Sequence, residues 1–495
     1  MITIRNKYEY DCEVLIVGGG PAGSGLAFHL AKVGVSVIVV ESATFPRDKV
    51  CGDGVSPIAL AELHAMGITK TESFKKANEI KRVGLFLNEE QVVVDLSKPD
   101  HLPLHARIIP RLELDSWIYE AARAAGARFL QATRFCKYEI KPGVVTTWVK
   151  QKEGIRAITS KLMVGADGSN SAVARQMHGA KSHEHFQLLG LRAYFENVNG
   201  PQDRVDIYFA EESFPGIYWM FPKGRSGANI GMAMVSATLP QSPKHVRELL
   251  QQHLENNKHI QERIGKGRLN GKILGWPIHF FNASLPVSGH RILLTGDAAG
   301  LINPLSGDGI QYALLSARWA AHTIVDALKG DDLSAEALLT YRKKMDQELA
   351  YDFAFSNFLV QFSRNKSLSK VWMQIIRILI ERAKTDREYA DTIAGIFEGT
   401  YPSFKALTPA FIQKSLWQGG ATGLQAVIEM AANPMGAVDK GRSLFQAALS
   451  VLGQVKAHPA EQRQWVADVI KNGVAVADHT LKHIVRAAAD IKKGA

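Results

Sequence analysis

Glycines near the start of the chain have the spacing of a phosphate-binding turn. Residues 18–23 read Gly-Gly-Gly-Pro-Ala-Gly. In such a turn Gly18 permits the tight bend, Gly20 lets the backbone approach a pyrophosphate, and Gly23 allows a helix to pack closely on the preceding strand. The N-terminus of that helix, with Ala22 in its first turn, would stabilise the phosphate charge. The spacing therefore predicts a phosphate-binding turn.

The elements around this turn form a complete βαβ unit. Residues 11–17 are an apolar run suited to a buried parallel strand, a helical pattern follows, and residues 35–40 are a second apolar run. Glu41 closes the second strand, where it would accept hydrogen bonds from an adenosine ribose. The alternative is a glycine-rich turn between core elements. The order of strand, glycines, helix, strand and acid favours dinucleotide binding.

Two later segments favour FAD over NAD as the dinucleotide. Residues 164–169 place an Asp-Gly pair after a strand-like stretch, and residues 293–297 end an apolar strand in Gly-Asp, an acid that can bind ribityl hydroxyls. Residues 307–309 are glycine-rich and open a helix whose N-terminus can face the negative O2 edge of a reduced isoalloxazine. The cofactor contacts predicted from these segments are Asp167, Gly168, Gly296, Asp297, Pro304, Gly307 and Gly309.

The order of these blocks resembles a known superfamily. GGGPAG, GADGSNS and GDAAGLINPLSGDG look like the aromatic flavin hydroxylases, and the resemblance covers residues 10–330. Arg111, in the segment IPRLELD, resembles the arginine that these proteins place near the flavin phosphates and ribityl chain. The resemblance implies an α/β fold with a Rossmann-type FAD-binding domain.

Two further blocks resemble the geranylgeranyl reductase family. FPRDKVCGDGVSP, at residues 45–57, is similar to the cysteine–glycine loop of that family, which implies that Cys51 and Gly52 contact the flavin. Residues 386–405 also resemble the end of these reductases. The resemblance implies an enzyme that uses FAD to reduce carbon–carbon double bonds of an isoprenoid or prenyl lipid.

The second of these blocks is PGIYWMFPKG, at residues 215–224, which resembles the Y-x-W-x-F-P pattern of the same family. Trp219 and Phe221 match that pattern, whereas Ile217 stands where the family usually has tyrosine. Tyr218 is one position away and would point to the opposite face of a strand. We expect Tyr218, Trp219 and Phe221 to contact substrate, and the isoleucine leaves the identity of the substrate open.

Two residues are candidates for the chemistry of alkene reduction, in which flavin N5 supplies hydride and another group or water supplies the proton. Cys51 is the candidate proton donor, because a thiol of pKa about 8.5 is mostly protonated at neutral pH. The alternative for Cys51 is a small apolar filler. Trp219 is the candidate wall residue, because an aromatic face stabilises tertiary-cation character by roughly 0.5–2 kcal/mol. The alternative for Trp219 is a core tryptophan.

Two other classes of protein stay open from the sequence. Flavin-dependent halogenases share the FPR start and the fold, although Cys-Gly-Asp-Gly replaces their GES sequence and their W-x-W-x-I-P signature is missing. The alternative function is therefore an FAD-dependent monooxygenase or halogenase that acts on a small hydrophobic or aromatic metabolite. A third interpretation is an FAD-binding protein without catalysis, whose helical C-terminal region serves as an interaction module.

Composition bounds the other partners. A net charge of +11 leaves nucleic acid, an anionic membrane surface or a pyrophosphate ligand open, and we expect no nucleic acid. Because no second nucleotide fold is visible, NADPH or another reductant is expected as a transient electron donor. The sixteen histidines have no ligand spacing, so no metal is expected. Three cysteines without a CxxC pair, no signal peptide and no apolar run of ~20 residues predict a cytoplasmic protein, with peripheral membrane contact left open.

The predicted architecture has three parts: a discontinuous FAD-binding domain, an inserted mixed β-sheet substrate domain over the flavin, and a helical C-terminal region. Their predicted boundaries are 1–85, 105–180 and 270–330 for the first, 86–104 and 181–269 for the second, and 331–495 for the third. Residues 351–382 mix apolar and basic side chains. We interpret them as packed core, with a surface for anionic lipid as the alternative.

Overall fold

A computed structural model describes residues 10–96, 101–179, 187–239, 243–418 and 459–493. Residues 419–458, within the predicted helical region, lie outside the described residues, as do the predicted boundaries at residues 1, 180, 181 and 495. From residue 310 onward the described residues form helices and no strands.

The strands of the described residues are, in chain order, β1 (Cys12–Val17), β2 (Val37–Val40), β3 (Gly54–Val55), β4 (Asn78–Glu79), β5 (Arg82–Leu87), β6 (Glu90–Asp95), β7 (Arg107–Ile108), β8 (Arg128–Leu130), β9 (Arg134–Lys141), β10 (Val144–Gln151), β11 (Gly154–Gly165), β12 (Gln187–Glu196), β13 (Arg204–Phe209), β14 (Ile217–Gly224), β15 (Gly227–Val235), β16 (Arg268–His279), β17 (Ser288–Gly289) and β18 (Ile292–Leu294). The helices are α1 (Pro21–Lys32), α2 (Pro57–Ala65), α3 (Glu72–Lys75), α4 (Arg111–Ala124), α5 (Ala172–His178), α6 (Pro243–Asn256), α7 (Lys258–Ile264), α8 (Ile310–Lys329), α9 (Ala335–Ser363), α10 (Ser369–Thr385), α11 (Arg387–Glu398), α12 (Pro409–Gln418) and α13 (Pro459–Lys493).

The first sheet positions the glycine turn. Its strands run in the order β17-β18-β11-β1-β2-β8, and β10 and β9 extend it antiparallel from β11. Strands β8, β2, β1, β11 and β18 are parallel. β1 and β2 are apolar and almost wholly buried, which is typical of parallel strands in an α/β protein. The carboxyl ends of β1, β2 and β11 meet at the edge where α1 begins, so the predicted α/β fold with a Rossmann-type domain is confirmed.

The second sheet is mixed, with the strand order β16-β12-β15-β14-β13-β5-β6. β13 and β5 are parallel, whereas the other neighbours are antiparallel. β5 begins at Arg82 and β16 ends at His279, so this sheet takes in residues that the predicted boundaries gave to the FAD-binding domain. The difference arises because the chain crosses between the sheets without a Gly- or Pro-rich linker that would mark the crossing.

The helical region packs on both sheets. α10 and α11 lie against β6, and Ile376 and Ile380 are buried in one cluster with Val83. α9 lies between α8 and α13, and Phe353 is buried in the core of the first sheet. These side chains of the segment 351–382 are therefore packed core. Among the described residues, no helix combines the length and the apolar character needed to cross a bilayer.

Candidate active site

The glycine turn joins β1 to α1 under tight steric limits. Gly18 has a φ of 103°, and a Cβ there would lie 2.3 Å from the Ala166 carbonyl oxygen, just after β11. A Cβ on Gly23 would lie 1.9 Å from the Gly18 carbonyl oxygen. At Gly20, the N-cap of α1, the protein atom nearest to such a Cβ is Arg47 Nη2 at 3.6 Å. The turn is therefore closed where it meets protein and open at the helix N-terminus, which suits a pyrophosphate.

Glu41 lies at the carboxyl end of β2 and binds the turn itself. Its Oε2 accepts a hydrogen bond from the Gly19 N–H at 2.8 Å, and its Oε1 accepts one from the Ala43 N–H at 2.9 Å. Arg47 Nη2 lies 3.6 Å from Oε2. The buried acid thus fixes the glycine turn to β2, at the position where the sequence predicts the adenosine ribose.

Two arginines share one carboxylate beside the turn. Arg111, on α4, donates hydrogen bonds of 2.7 and 2.9 Å to Asp115, and Arg47 donates one of 2.8 Å to the same group. Burial acts to lower the pKa of Arg111, but the charge and hydrogen bonds of Asp115, together with other nearby negative charge, outweigh burial and hold that pKa above its usual value. Arg111 is therefore cationic on the cavity wall, where phosphate or ribityl oxygens can bind it. Arg47 was not predicted as a site residue. Its only signal in the sequence is the Phe-Pro-Arg segment that this chain shares with the flavin-dependent halogenases.

Asp167, a predicted cofactor contact, holds the start of α5. Its carboxylate accepts hydrogen bonds from the Ala172 and Val173 N–H groups at 2.7 and 3.2 Å, and one from the Ser171 hydroxyl, so it caps α5. Burial raises the pKa of Asp167 against the effect of these hydrogen bonds. The side chain is therefore used by α5 and does not line the cavity, whereas the neighbouring Gly168 does. An acid before a helix is as often a cap as a ligand contact, and the cap is what the structure shows.

Asp297 lies on the cavity wall after β18, between two side chains that sequence reasoning missed. Lys49 Nζ is 3.0 Å and Ser169 Oγ 3.1 Å from its Oδ2. Burial acts to raise the pKa of Asp297, but the charges of Lys49 and Arg111, together with the hydrogen bonds from Lys49 and Ser169, hold that pKa below its usual value. Gly296 has a φ of 57°, and a Cβ there would lie 2.7 Å from the Ala22 Cβ, so glycine brings the acid close to α1. The carboxylate is ionised and can accept hydrogen bonds from ribityl hydroxyls.

The loop before α8 forms the next part of the cavity wall. Pro304, Gly307 and Gly309 line the cavity, and Gly309 is the N-cap of α8 without a side-chain cap. Asp308, which was not predicted, lies in this loop and accepts a hydrogen bond from the Gln311 N–H at 3.4 Å, and burial raises its pKa to about 6. Because a helix N-terminus favours negative charge, the loop fits the position predicted for the flavin O2 edge.

The cysteine–glycine loop lies against the aromatic side chains of β14. A Cβ on Gly52 would lie 3.3 Å from the Phe221 ring and 3.8 Å from Trp219 Nε1. Cys51 Sγ accepts a hydrogen bond from the Asp53 N–H at 3.3 Å. Burial is the main cause that raises the pKa of the Cys51 thiol, so the thiol is protonated at neutral pH. Two blocks more than 150 residues apart in sequence thus meet on one wall.

Tyr218, a predicted substrate contact, packs against a helix. Its ring is 1% exposed and stacks on His253 of α6, with ring centroids 3.7 Å apart. Ile217, Trp219 and Phe221 alternate with it along β14 and line the cavity. The period of a strand therefore turns Tyr218 to the other face of the sheet, away from the cavity wall on which the predicted substrate contact would lie.

One cavity of about 950 Å³ is lined by residues of the glycine turn, by Arg111 and Asp297, and by Cys51 and Trp219. It runs from the glycine turn past Cys51 into an apolar part between the second sheet and the helical region. That part is lined by Val83, Leu96, Val205, Ile207, Phe209, Phe214, Ile376, Leu379, Ile393 and Phe397. Within the described ranges, no group of three His, Cys, Asp or Glu side chains is placed to hold a metal. The open helix N-termini, Arg111 and Asp297 fit an FAD, and the apolar part is left for a substrate.

Comparison with known proteins supports FAD as the cofactor, and the family match covers most of the chain. Residues 11–349 match the family described as FAD binding domain. A menaquinone reductase of Mycobacterium tuberculosis is 31% identical over 321 residues, which cover 63% of this chain and 76% of the relative. A geranylgeranyl diphosphate reductase of Rhodobacter capsulatus is 30% identical over 336 residues, which cover 65% of this chain and 76% of the relative.

Solved structures have the same fold. A geranylgeranyl bacteriochlorophyll reductase-like protein of Thermoplasma acidophilum matches with a TM-score of 0.62 at 22% identity, covering 85% of this chain and 99% of its own. The flavin-dependent brominase Bmp2 matches with a TM-score of 0.66 at 15% identity, again covering 85% of this chain and 99% of its own. At such identities the likeness concerns the fold alone.

The fold and the site together define a flavoprotein. With the family match and the two relatives, the assignment becomes narrower: the chain belongs to the geranylgeranyl reductase family of FAD-dependent oxidoreductases. The predicted family and the predicted FAD are thus confirmed. NADPH stays a prediction.

Proposed function

We propose that this enzyme reduces carbon–carbon double bonds in the prenyl chain of an isoprenoid lipid. The observation that carries the proposal is the contact of the Cys51–Gly52 loop with Trp219 and Phe221 on the wall of the apolar cavity. A protonated thiol and an aromatic face are the two groups that alkene reduction needs beside a source of hydride. The relatives whose names denote prenyl-lipid and quinone reductases support the same class of substrate.

Each side chain of the site has a separate role in the proposed reduction. When bound and reduced, FAD would supply a hydride to one alkene carbon. Cys51 gives a proton to the other carbon and its thiolate regains one from solvent, so the alkene gains two protons and one electron pair, which together are two hydrogen atoms. Trp219 presents its ring to the tertiary carbon while positive charge develops there, a stabilisation of roughly 0.5–2 kcal/mol. Arg111 and Asp297 hold the cofactor by its phosphates and ribityl hydroxyls.

The apolar part of the cavity suits a prenyl chain. Each CH₂ group that leaves water there contributes about 0.8 kcal/mol, so several isoprene units bind without polar contacts. Ile217 adds aliphatic surface where the family usually has tyrosine. This substitution favours substrates that need no hydroxyl partner at that point of the wall.

We also propose that NADPH or another reductant reduces the flavin in a transient encounter, and that the enzyme meets its lipid at the membrane periphery. The net charge of +11 suits a phosphate-bearing donor and an anionic lipid surface. Stopped-flow mixing with NADPH under argon would bleach the oxidised flavin absorbance. Sedimentation with liposomes, with and without anionic lipid, would carry down the protein only when the anionic lipid is present. Unchanged absorbance would contradict NADPH as the donor and leave another reductant. Protein that stays in the supernatant with both liposomes would contradict the membrane contact.

The function is tested by product mass. Enzyme loaded with FAD and reduced by dithionite is incubated with geranylgeranyl diphosphate or menaquinone, and the product is expected to gain two hydrogen atoms per reduced bond. Cys51→Ala and Trp219→Leu are expected to slow the reaction by about tenfold or more at unchanged FAD content. Tyr218→Phe, on the other face of the same strand, is the matched control and is expected to stay within about twofold of wild type.

Three results would contradict the proposal. Full turnover of Cys51→Ala would remove the thiol as proton donor. Oxygen- or halide-dependent modification of an aromatic metabolite, without prenyl reduction, would show the monooxygenase or halogenase function. FAD binding without turnover of either class of substrate would show the non-catalytic alternative.

A further inference from the structure

One buried acid, Asp53, connects the two candidate catalytic residues. It is fully buried and has a φ of 65°. Its Oδ2 accepts hydrogen bonds from Tyr194 Oη and Asn229 Nδ2, both at 2.8 Å. Its Oδ1 accepts one from the Arg111 N–H at 3.3 Å, and its own N–H donates to Cys51 Sγ. The carboxylate therefore ties the cysteine loop to β12, β15 and α4.

Asn229 extends this network to the aromatic wall. Its Oδ1 accepts a hydrogen bond from Trp219 Nε1 at 3.0 Å, and its Nδ2 donates to the Cys51 carbonyl oxygen at 2.7 Å as well as to Asp53. The amide, which is also fully buried, thus uses its oxygen and both N–H groups. The Cys51 backbone and the Trp219 indole are held by the same side chain.

The charge of Asp53 is not required by the backbone. Asparagine or glycine adopts a φ of 65° at least as readily as aspartate. Within the described part of the chain Asp53 forms no ion pair, because Arg111 pairs with Asp115 and Arg192 pairs with Asp48. A carboxylate buried among neutral donors costs free energy that an amide would avoid. We therefore looked for an effect of the negative charge of Asp53 on a neighbouring group.

Two titratable groups contact Asp53: the Tyr194 hydroxyl, which donates to Oδ2, and the Cys51 sulfur, which accepts from the Asp53 N–H. Of these two groups, the Cys51 thiol is the one that lines the cavity. Burial is the largest cause of the raised pKa of Cys51, and the Asp53 charge raises it further. The Arg111 guanidinium beside the thiol acts in the opposite direction and lowers the same pKa. The charged and titratable groups that face Asp53 are Cys51 in its own loop, Arg111 on α4, and Arg192 and Tyr194 on β12.

We propose that Asp53 is a positioning residue whose negative charge keeps Cys51 in its thiol form beside Arg111. Without that charge the guanidinium would act on the sulfur unopposed by Asp53, and a larger fraction of Cys51 would be thiolate, which has no proton to give. The inference rests on the proposed function, because proton donation by Cys51 belongs to that function. Asp53 itself donates no proton in this scheme, and its effect is exerted through the sulfur atom.

The test measures the titration of Cys51 in the FAD-loaded enzyme without substrate. Iodoacetamide is added across a pH series, and mass spectrometry of the Cys51 peptide gives the alkylation rate apart from those of Cys12 and Cys136. In Asp53→Asn, which keeps the size and one acceptor oxygen, the midpoint is expected to move down by about one pH unit. Asp346→Asn removes the same charge from an exposed ion pair on α9 and is expected to leave the midpoint unchanged.

A second variant keeps the test decisive if Asp53→Asn does not fold. Asp53→Gly relieves the backbone at a φ of 65° and removes the same charge, so the same downward shift is expected. A midpoint equal to that of wild type, in a variant that retains its FAD absorbance, would overturn the inference. Because no substrate is present, this outcome is separate from the product-mass test. A shifted midpoint together with no prenyl reduction would reject the proposed function and leave the effect of Asp53 on the thiol standing.

Discussion

At the scale of single residues, the buried carboxyl group of Asp53 is expected to make the free energy of unfolding depend on pH. Burial raises the pKa of its carboxyl group to about 6, against hydrogen bonds from Asn229 and Tyr194. In the unfolded chain the same group has its ordinary pKa near 4. Between about pH 4 and pH 6 the folded protein therefore binds more protons than the unfolded chain, and this group makes the free energy of unfolding fall as pH rises through that window.

Asp53→Asn is expected to remove this loss. The difference in free energy of unfolding, variant minus wild type, should become more positive by up to about 3 kcal/mol between pH 4 and pH 7. Urea denaturation at several pH values measures it, whatever the variant loses in hydrogen bonding at all pH values. Curves for the two proteins that run parallel across this range would show that Asp53 is not the group responsible.

The residue scale is also where the sequence predicted least well. Cys51, Trp219 and the glycines were found from their order along the chain, since each belongs to a local pattern. Asn229 was not, because its hydrogen bonds reach residues 51 and 53 across two elements that only the tertiary fold brings together. The hydrogen bonds of Asp167 to α5 were not predicted either, because one acid can serve a helix or a ligand with the same local sequence.

At the scale of elements, the packing of α1 on β1 and α8 gives a sharp contrast between two glycines of one helix. A Cβ on Gly23 would lie 1.9 Å from the Gly18 carbonyl oxygen, whereas a Cβ on Gly25 would make ordinary contact at 3.4 Å with Ala317 and Leu314. Gly23→Ala is therefore expected to push α1 away from the turn and to weaken FAD binding by about tenfold or more. Gly25→Ala, the matched control, is expected to keep wild-type affinity.

The affinity is measured by fluorescence titration of the apoprotein with FAD, and circular dichroism reports whether each variant is folded. Equal FAD affinities for the two folded variants would contradict the role given to the turn.

This βαβ unit was predicted from the sequence in full, because its strands, turn and helix are contiguous. The boundaries of the second sheet were not, because β5, β6 and β12–β16 come from segments separated by more than ninety residues.

At the scale of the whole molecule, the helical region completes the cavity that the two sheets begin. Leu379 on α10 lines the apolar part, far along the chain from the glycine turn. Leu379→Trp is expected to fill that space and to raise the KM for a long prenyl substrate by about tenfold, with FAD content unchanged. Leu339→Trp, at an exposed leucine of α9, is the control and is expected to leave the KM unchanged.

Steady-state kinetics with prenyl substrates of increasing length measures this effect, which should grow with chain length. A KM that is the same for Leu379→Trp and wild type at every length would mean that the prenyl chain lies elsewhere.

The helical character of the region after residue 330 was predicted from the sequence. Its part in the cavity was not, since the contact of α10 and α11 with β6 has no local signature.

Reduction of prenyl double bonds by the bound flavin is tested most directly by a single turnover without oxygen. The FAD-loaded enzyme is reduced with one equivalent of dithionite under argon and mixed with an unsaturated prenyl lipid, and the oxidised flavin absorbance is followed. We expect the absorbance to return in proportion to the double bonds reduced, with no return for the fully saturated lipid of the same length. A flavin that stays reduced with the unsaturated lipid, and is reoxidised only when oxygen is admitted, would contradict the account.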